Sequence, residues 1–170
     1  MNEMLLDPFR HNAWATGELL AFCGRLSPDQ LEATAVGTYG TVRATLQHIL
    51  EGEAYYWWRL SGDAPAWWNK GELPPASLAE LEAWNEEMAQ IWESMLAGPM
   101  DPEAWATDTE EDGSECRATA GVIVAQVLNH GNEHRSQVNT ILTTLGLEPP
   151  DVQAWAYGVA VGRHVERPPG

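Results

Sequence analysis

His130 and His134 stand one helical turn apart in the run Gln126-Val127-Leu128-Asn129-His130-Gly131-Asn132-Glu133-His134-Arg135-Ser136-Gln137. Around them Ile123, Val127, Val138, Ile141 and Leu145 recur at threes and fours, which places both imidazoles on the buried face of one helix. Burying two imidazoles costs free energy unless their nitrogens find partners, and a divalent metal held by both is the commonest way to satisfy an i, i+4 pair. The spacing therefore predicts a metal site inside a helical core. His48 is the strongest candidate for a third ligand: its own helical face carries Thr41, Ala44, Thr45, Gly52 and Tyr55, mostly small side chains that leave space beside the ring. The alternative for His48 is a polar contact under a loop.

Three neutral imidazoles leave a divalent transition metal its full charge and at least one open coordination position. Structural zinc sites usually close with four protein ligands, often cysteine, and Cys23 and Cys116 match no ligand spacing here. Imidazole suits several metals, with zinc and nickel the first expectations. Two other readings stand beside a catalytic metal. In one, the metal merely stabilises a binding or stress-linked scaffold. In the other, His130-x-x-Glu133-His134 matches the inverted zinc-peptidase pattern with Glu133 as general base. On a helix Glu133 lies about 60° from His130 and 100° from His134, so it either flanks the metal or points into solvent. Such peptidases also need a downstream acidic ligand, for which only Glu148, Asp151 and Glu166 remain, and His48 is the better match. Metal-assisted hydrolysis of a small amide or ester stays open.

Neighbouring residues can support the site. Gln137, three residues past His134, is placed to orient a ligand or substrate, whereas Arg135 points elsewhere and is placed to pair with an acid. His11, at helical spacing with Trp14 and Glu18, is either an extra pocket group or a surface histidine. Tyr55, Tyr56, Trp57 and Trp58 are consecutive and cannot share one helical face, so some meet a loop, a partner subunit or a pocket rim. Trp67 and Trp68 in a loop predict a homodimer contact or an apolar substrate mouth.

The elements that must position these groups are helical, and the expected fold class is all-α. A first helix is predicted from about Pro8 to Leu26, where Ser27-Pro28-Asp29 stops it or starts another turn, with Phe9, Trp14, Leu19, Leu20 and Phe22 as its apolar contacts. Thr41 caps a second helix to Leu60, closed by Ser61-Gly62-Asp63. After a loop over 64–75, the capping box Ser77-Leu78-Ala79-Glu80 opens a third helix to about Ala97. Met100 to Arg117 reads as acidic and irregular with a short extended piece, and Thr119 begins a fourth helix ending at Leu145. Asp151 caps a short final helix through Trp155 to Val161, and Arg163 to Gly170 is read as a frayed tail. Four long amphipathic helices with a short additional C-terminal one favour a four-helix bundle, a common setting for metal sites on facing helices.

Length and charge narrow the function. The 170 residues, 44% hydrophobic with nine tryptophans, suit one domain with its core over about 8–162. A formal charge of −16 repels nucleic acid and anionic lipid, and no stretch approaches the roughly 20 apolar residues that span a bilayer. Met1-Asn2-Glu3-Met4 lacks the basic start of a signal peptide, so a cytoplasmic location is expected. Two cysteines build no disulfide framework; both are read as free thiols, Cys23 in a helix and Cys116 in a loop.

His11-Asn12-Ala13-Trp14-Ala15, Thr41-Val42-Arg43-Ala44-Thr45-Leu46-Gln47-His48-Ile49, and Asn129-His130 through His134-Arg135-Ser136-Gln137 together resemble the DinB/YfiT-like family of metalloenzymes. The likeness runs from roughly Arg10 to Gly158, continued by Leu145-Gly146-Leu147-Glu148-Pro149-Pro150-Asp151 and Trp155-Ala156-Tyr157-Gly158. The resemblance implies a four-helix bundle, often homodimeric, with one divalent metal on three histidines at positions matching His48, His130 and His134. It also implies a thiol-dependent transferase or isomerase acting on a small molecule, with a low-molecular-weight thiol as co-substrate.

Overall fold

Three residues start helices in this chain by accepting a backbone N–H three positions on. The hydroxyl oxygen of Ser27 accepts from Gln30, that of Thr41 from Ala44 and that of Ser77 from Glu80, which satisfies a donor that the first turn leaves open. At Ser27 and Ser77 the third residue of the helix bonds back to the cap nitrogen, completing a capping box. In the computed structural model, which describes residues 3–109 and 112–165, these caps open α2 (Pro28–Leu31), α3 (Val42–Ser61) and α4 (Leu78–Ala97). They follow α1 (Glu3–Cys23) and precede α5 (Ala120–Thr144) and α6 (Ala154–Ala160).

Some boundaries differ from expectation. α1 begins before Pro8 and ends at Cys23, carrying the proline inside at the loss of one backbone hydrogen bond. Ser27-Pro28 both ends that stretch and starts α2. Asp151 is not the cap of α6. Gln153 occupies that position, and the Asp151 carboxylate accepts from its N–H at 3.0 Å. Leu145, expected on the buried stripe of α5, is 39% exposed, and Leu142 is buried where the helix meets the core. Of the tail expected to fray, 166–170 lie outside the described residues.

The largest departure is a hairpin: the chain is mostly helical rather than all-α. β1 (Trp105–Thr109) pairs antiparallel with β2 (Glu115–Thr119), Asp108 facing Cys116 in register. Threonines and an aromatic favour the extended backbone, and Asp112 accepts from the Ser114 N–H in the connection. Cys116 therefore sits on a strand, not in a loop. Only Asp108 is buried on β1, so the hydrophobic alternation that announces a strand is missing.

α3 packs against α5 and α4, and α1 against α4 and α5, so the long helices close a ring, with α6 laid on α1. Leu19, Leu20, Leu46, Ile49, Leu81 and Ile141 fill one part of the interior; Phe9, Met88, Trp92 and Val127 fill another. Trp67 stacks on Trp84 at 4.2 Å and is half-buried within the chain. Among the described residues no helix is long and apolar enough to cross a membrane.

A buried polar seam ties α1, α3 and α5 together. Arg135 donates from one guanidinium nitrogen to the Asn12 side-chain oxygen at 2.7 Å and to the Thr16 hydroxyl at 3.2 Å. Asn12 in turn donates from its amide nitrogen to Glu53 at 2.8 Å. The amide dipole thus points its negative end at the cation and its positive end at the carboxyl, bridging two charges that make no direct bond. Burial pushes the Glu53 carboxyl up to about 7 from its ordinary 4.5, against the opposing pull of Asn12 and Arg135. Burial likewise lowers Arg135 to about 10, with Glu53 pulling the other way. Gly131 makes room: a Cβ there would lie 2.5 Å from the Asn12 oxygen and 2.8 Å from the guanidinium.

A carboxyl whose folded pKa is raised favours the fold while protonated, so its contribution is full below about 4.5 and is lost as pH rises through about 7. Urea unfolding across that window should show stability falling with pH more steeply in the wild type than in Glu53→Gln. Asn12→Leu leaves the buried Arg135 guanidinium and the Glu53 carboxyl without the amide that bridges them and should cost ~3 kcal/mol.

Candidate metal centre

The small residues on the outer face of α3 let α5 come close. A Cβ on Gly52 would lie 2.5 Å from Cε1 and 2.9 Å from Nδ1 of His130, closer than carbon atoms approach, so the imidazole of α5 occupies the space of a missing side chain on α3. His130 and His134 are each 9% exposed and His48 is half-buried. Nε2 of His130 lies 3.1 Å from Nε2 of His48, and one ring nitrogen from each of the three histidines falls within 4.8 Å of the others.

The protonation state of the cluster follows from burial. It holds His48 and His130 down at about 4, reinforced in both by the neighbouring imidazoles. Both rings are neutral at pH 7, and their lone pairs are available to a cation. A shared divalent metal needs its ligand nitrogens a few ångströms apart, which the His48–His130 pair meets at 3.1 Å and His134, within 4.8 Å of both, approaches.

His134 is held by Gln137, whose side-chain oxygen lies 3.1 Å from Nδ1. A carbonyl oxygen only accepts, so Nδ1 is the donor of this pair, which leaves Nε2 as the ring nitrogen not engaged by Gln137. The same oxygen accepts from the Tyr39 N–H at 2.8 Å. That bond brings the Tyr39 ring over the cluster, stacked on His48 at 3.9 Å and edge-on to His134 at 5.5 Å. Tyr56 meets His130 edge-on at 5.7 Å. Nδ1 of His130 is buried without a hydrogen-bond partner. Beside His48 and His130 opens a cleft of about 330 Å³ walled by Tyr55, Tyr56 and Trp68, with Lys70 and Asp108 also lining it.

The other residues singled out by the sequence lie apart from the imidazoles. Glu133 is exposed, the solvated one of its two expected positions, and Glu148 and Asp151 are exposed as well. Glu166 is outside the described residues. His11 bonds through Nε2 to the Val152 carbonyl at 2.8 Å and stands beside Trp14 and Tyr157. Arg135 points away from the cluster into the seam, and the acid it faces is Glu53 through Asn12. The loop tryptophans are half-buried in their own chain: Trp67 packs on Trp84, and Trp68 forms part of the cleft wall. Tyr39 was not legible as a site residue, since nothing in its loop sequence says that Gln137 will hold it. The Gln137 signal, three residues past His134, was legible.

Gly52→Ala is favoured by helix propensity, by up to ~1 kcal/mol on α3 alone. It should nonetheless displace the His130 ring and lower zinc affinity at least about tenfold, as read by competition with a chromogenic chelator.

The model of the DinB family matches residues 1–160 of the chain. No curated protein matches it.

Proposed function

The chain belongs to the DinB family, and from that premise we propose that it is a metal-dependent enzyme holding one divalent transition metal on His48, His130 and His134. In this reading the four long helices form the bundle of that family, and the reaction is a thiol-dependent transfer or isomerisation on a small molecule. The observation that carries the proposal is the convergence of three imidazoles from α3 and α5 beside an open cleft, two of them, His48 and His130, held neutral by burial.

A metal bound there would act as a Lewis acid and hold an incoming small-molecule thiol as thiolate at neutral pH. The thiol must come from solution. Cys23 is buried and its thiol is pushed up to about 12, which removes it as a nucleophile. Cys116 lies on β2, where its sulfur contacts Arg59. The remaining work falls to side chains that position. Gln137 engages Nδ1 of His134, so that Nε2 is the ring nitrogen left for the cluster. Tyr39 and Tyr56 shield two of the rings from water and keep them from turning outward. The cleft beside His48 and His130 gives a second substrate a place within reach of the cluster.

Elemental analysis of the protein as isolated should find about one divalent transition metal per chain. His48→Ala, His130→Ala and His134→Ala should each lose that metal while keeping their helical circular dichroism. Turnover of low-molecular-weight thiols with electrophilic acceptors should disappear on chelation and return when metal is added back. Turnover unaffected by chelation rules the reading out; a fold that melts on metal removal, with no displaceable ligand, favours the scaffold instead.

A further inference from the structure

The cleft beside the imidazoles is electrically arranged, not just open. Asp108 is 1% exposed, and both of its oxygens are engaged: one accepts from the Tyr55 hydroxyl at 2.8 Å, the other from Nζ of Lys70 at 2.6 Å. Burial alone would push the Asp108 carboxyl up, but the hydrogen bonds from Lys70 and Tyr55 outweigh it and hold the group below its usual range. A charged carboxylate therefore cancels the ammonium beside it. Among the described residues lining the cleft, Glu51 is the only other one with a charged side chain. An anion entering this cleft meets a neutralised lysine, a glutamate and a chain of net charge −16.

What the cleft offers instead is ring surface. Tyr55 lies 6.4 Å from Trp68 and 5.4 Å from Tyr56, and Tyr56 reaches His130, so aromatic faces run from the Lys70 end to the imidazole cluster. A volume of about 330 Å³ suits a compound of one ring with small substituents. We propose that this cleft takes the flat, uncharged body of the molecule that reacts at the imidazoles, an aromatic or comparably planar small organic compound, and that Asp108 sets the preference for a neutral ligand by cancelling Lys70. The placing of the reacting end rests on the metal reading above; the cleft and its charge balance do not.

Equilibrium dialysis of the full chain against 4-nitroacetophenone and 4-nitrobenzoate tests this, because the two share ring and size and differ in charge. The wild type should bind the neutral probe at least about tenfold more tightly. Trp68→Ala should weaken that binding about fivefold or more, whereas Trp68→Phe, which keeps a ring, should stay within about twofold. Asp108→Asn preserves shape and removes one negative charge from the cleft wall, so it should shift the preference toward 4-nitrobenzoate. Metal content should stay at the wild-type level in all three variants, since neither residue contacts an imidazole. Equal binding of both probes to the wild type, or indifference to Trp68→Ala, overturns the inference even if metal is present. Probe selectivity as expected in a chain that holds no metal overturns the metal reading and leaves the cleft assignment standing. If Asp108→Asn fails to fold, the wild-type preference and the Trp68 pair decide the matter.

Discussion

The site depends on how closely α5 approaches α3 on one side and α1 on the other, and two glycines admit that approach. Gly52 leaves room for the His130 ring, and Gly131 leaves room for Asn12 and the Arg135 guanidinium. Glycine inside a helix is destabilising by roughly 1 kcal/mol relative to alanine. Here the lost propensity is offset by what the gap admits. At the first position it admits an imidazole of the cluster, at the second a buried amide bridge between a guanidinium and a carboxyl. Without either gap the helices would stand further apart, and neither three imidazoles nor the Arg135 to Glu53 seam could be enclosed.

Enclosure then determines the chemistry. Imidazoles exposed to water would titrate near neutrality, but burial keeps His48 and His130 uncharged well below it. The same burial has the opposite consequence for Glu53, which is driven toward its protonated form, and for Cys23, whose thiol is silenced. One physical cause thus separates groups able to donate lone pairs from groups that serve only to hold helices together. The net charge of −16 adds an attraction for cations at long range that no single contact supplies.

Local signals in the sequence located most of this. Thr41 and Ser77 cap the helices they were expected to cap, and Ser27 opens a short one where the chain was expected to stop or to start another turn, because a capping bond spans only three residues and needs no tertiary information. The stripe through Ile123, Val127, His130, His134 and Val138 is buried, and it fails only at Leu145, where α5 runs past the core. The small residues facing His48 pointed to space beside that ring, and Gly52 is where the space is used. What stayed hidden was non-local. The hairpin buries one polar residue and carries no apolar alternation; Tyr39 joins the site through a bond to a residue 98 positions away; and Asn12, Glu53 and Arg135 meet from three helices. A loop position also does not reveal how the loop folds back: Trp67 packs onto the core of its own chain, while Trp68 lines the cleft, in keeping with the apolar mouth that was one of the two expectations.

Asp108 belongs to the hairpin, yet it grips one side chain of α3 and one of the loop between α3 and α4. The far wall of the cleft is therefore built by an appendage, while the imidazoles stand on the helical frame. The hairpin is anchored to that frame at its base, where β2 runs into α5 and Arg59 of α3 bonds the carbonyls of Ala106 and Cys116. Its turn end is held by neither contact, so changes of length or charge there would reshape the cleft wall while the three histidines keep their places on α3 and α5.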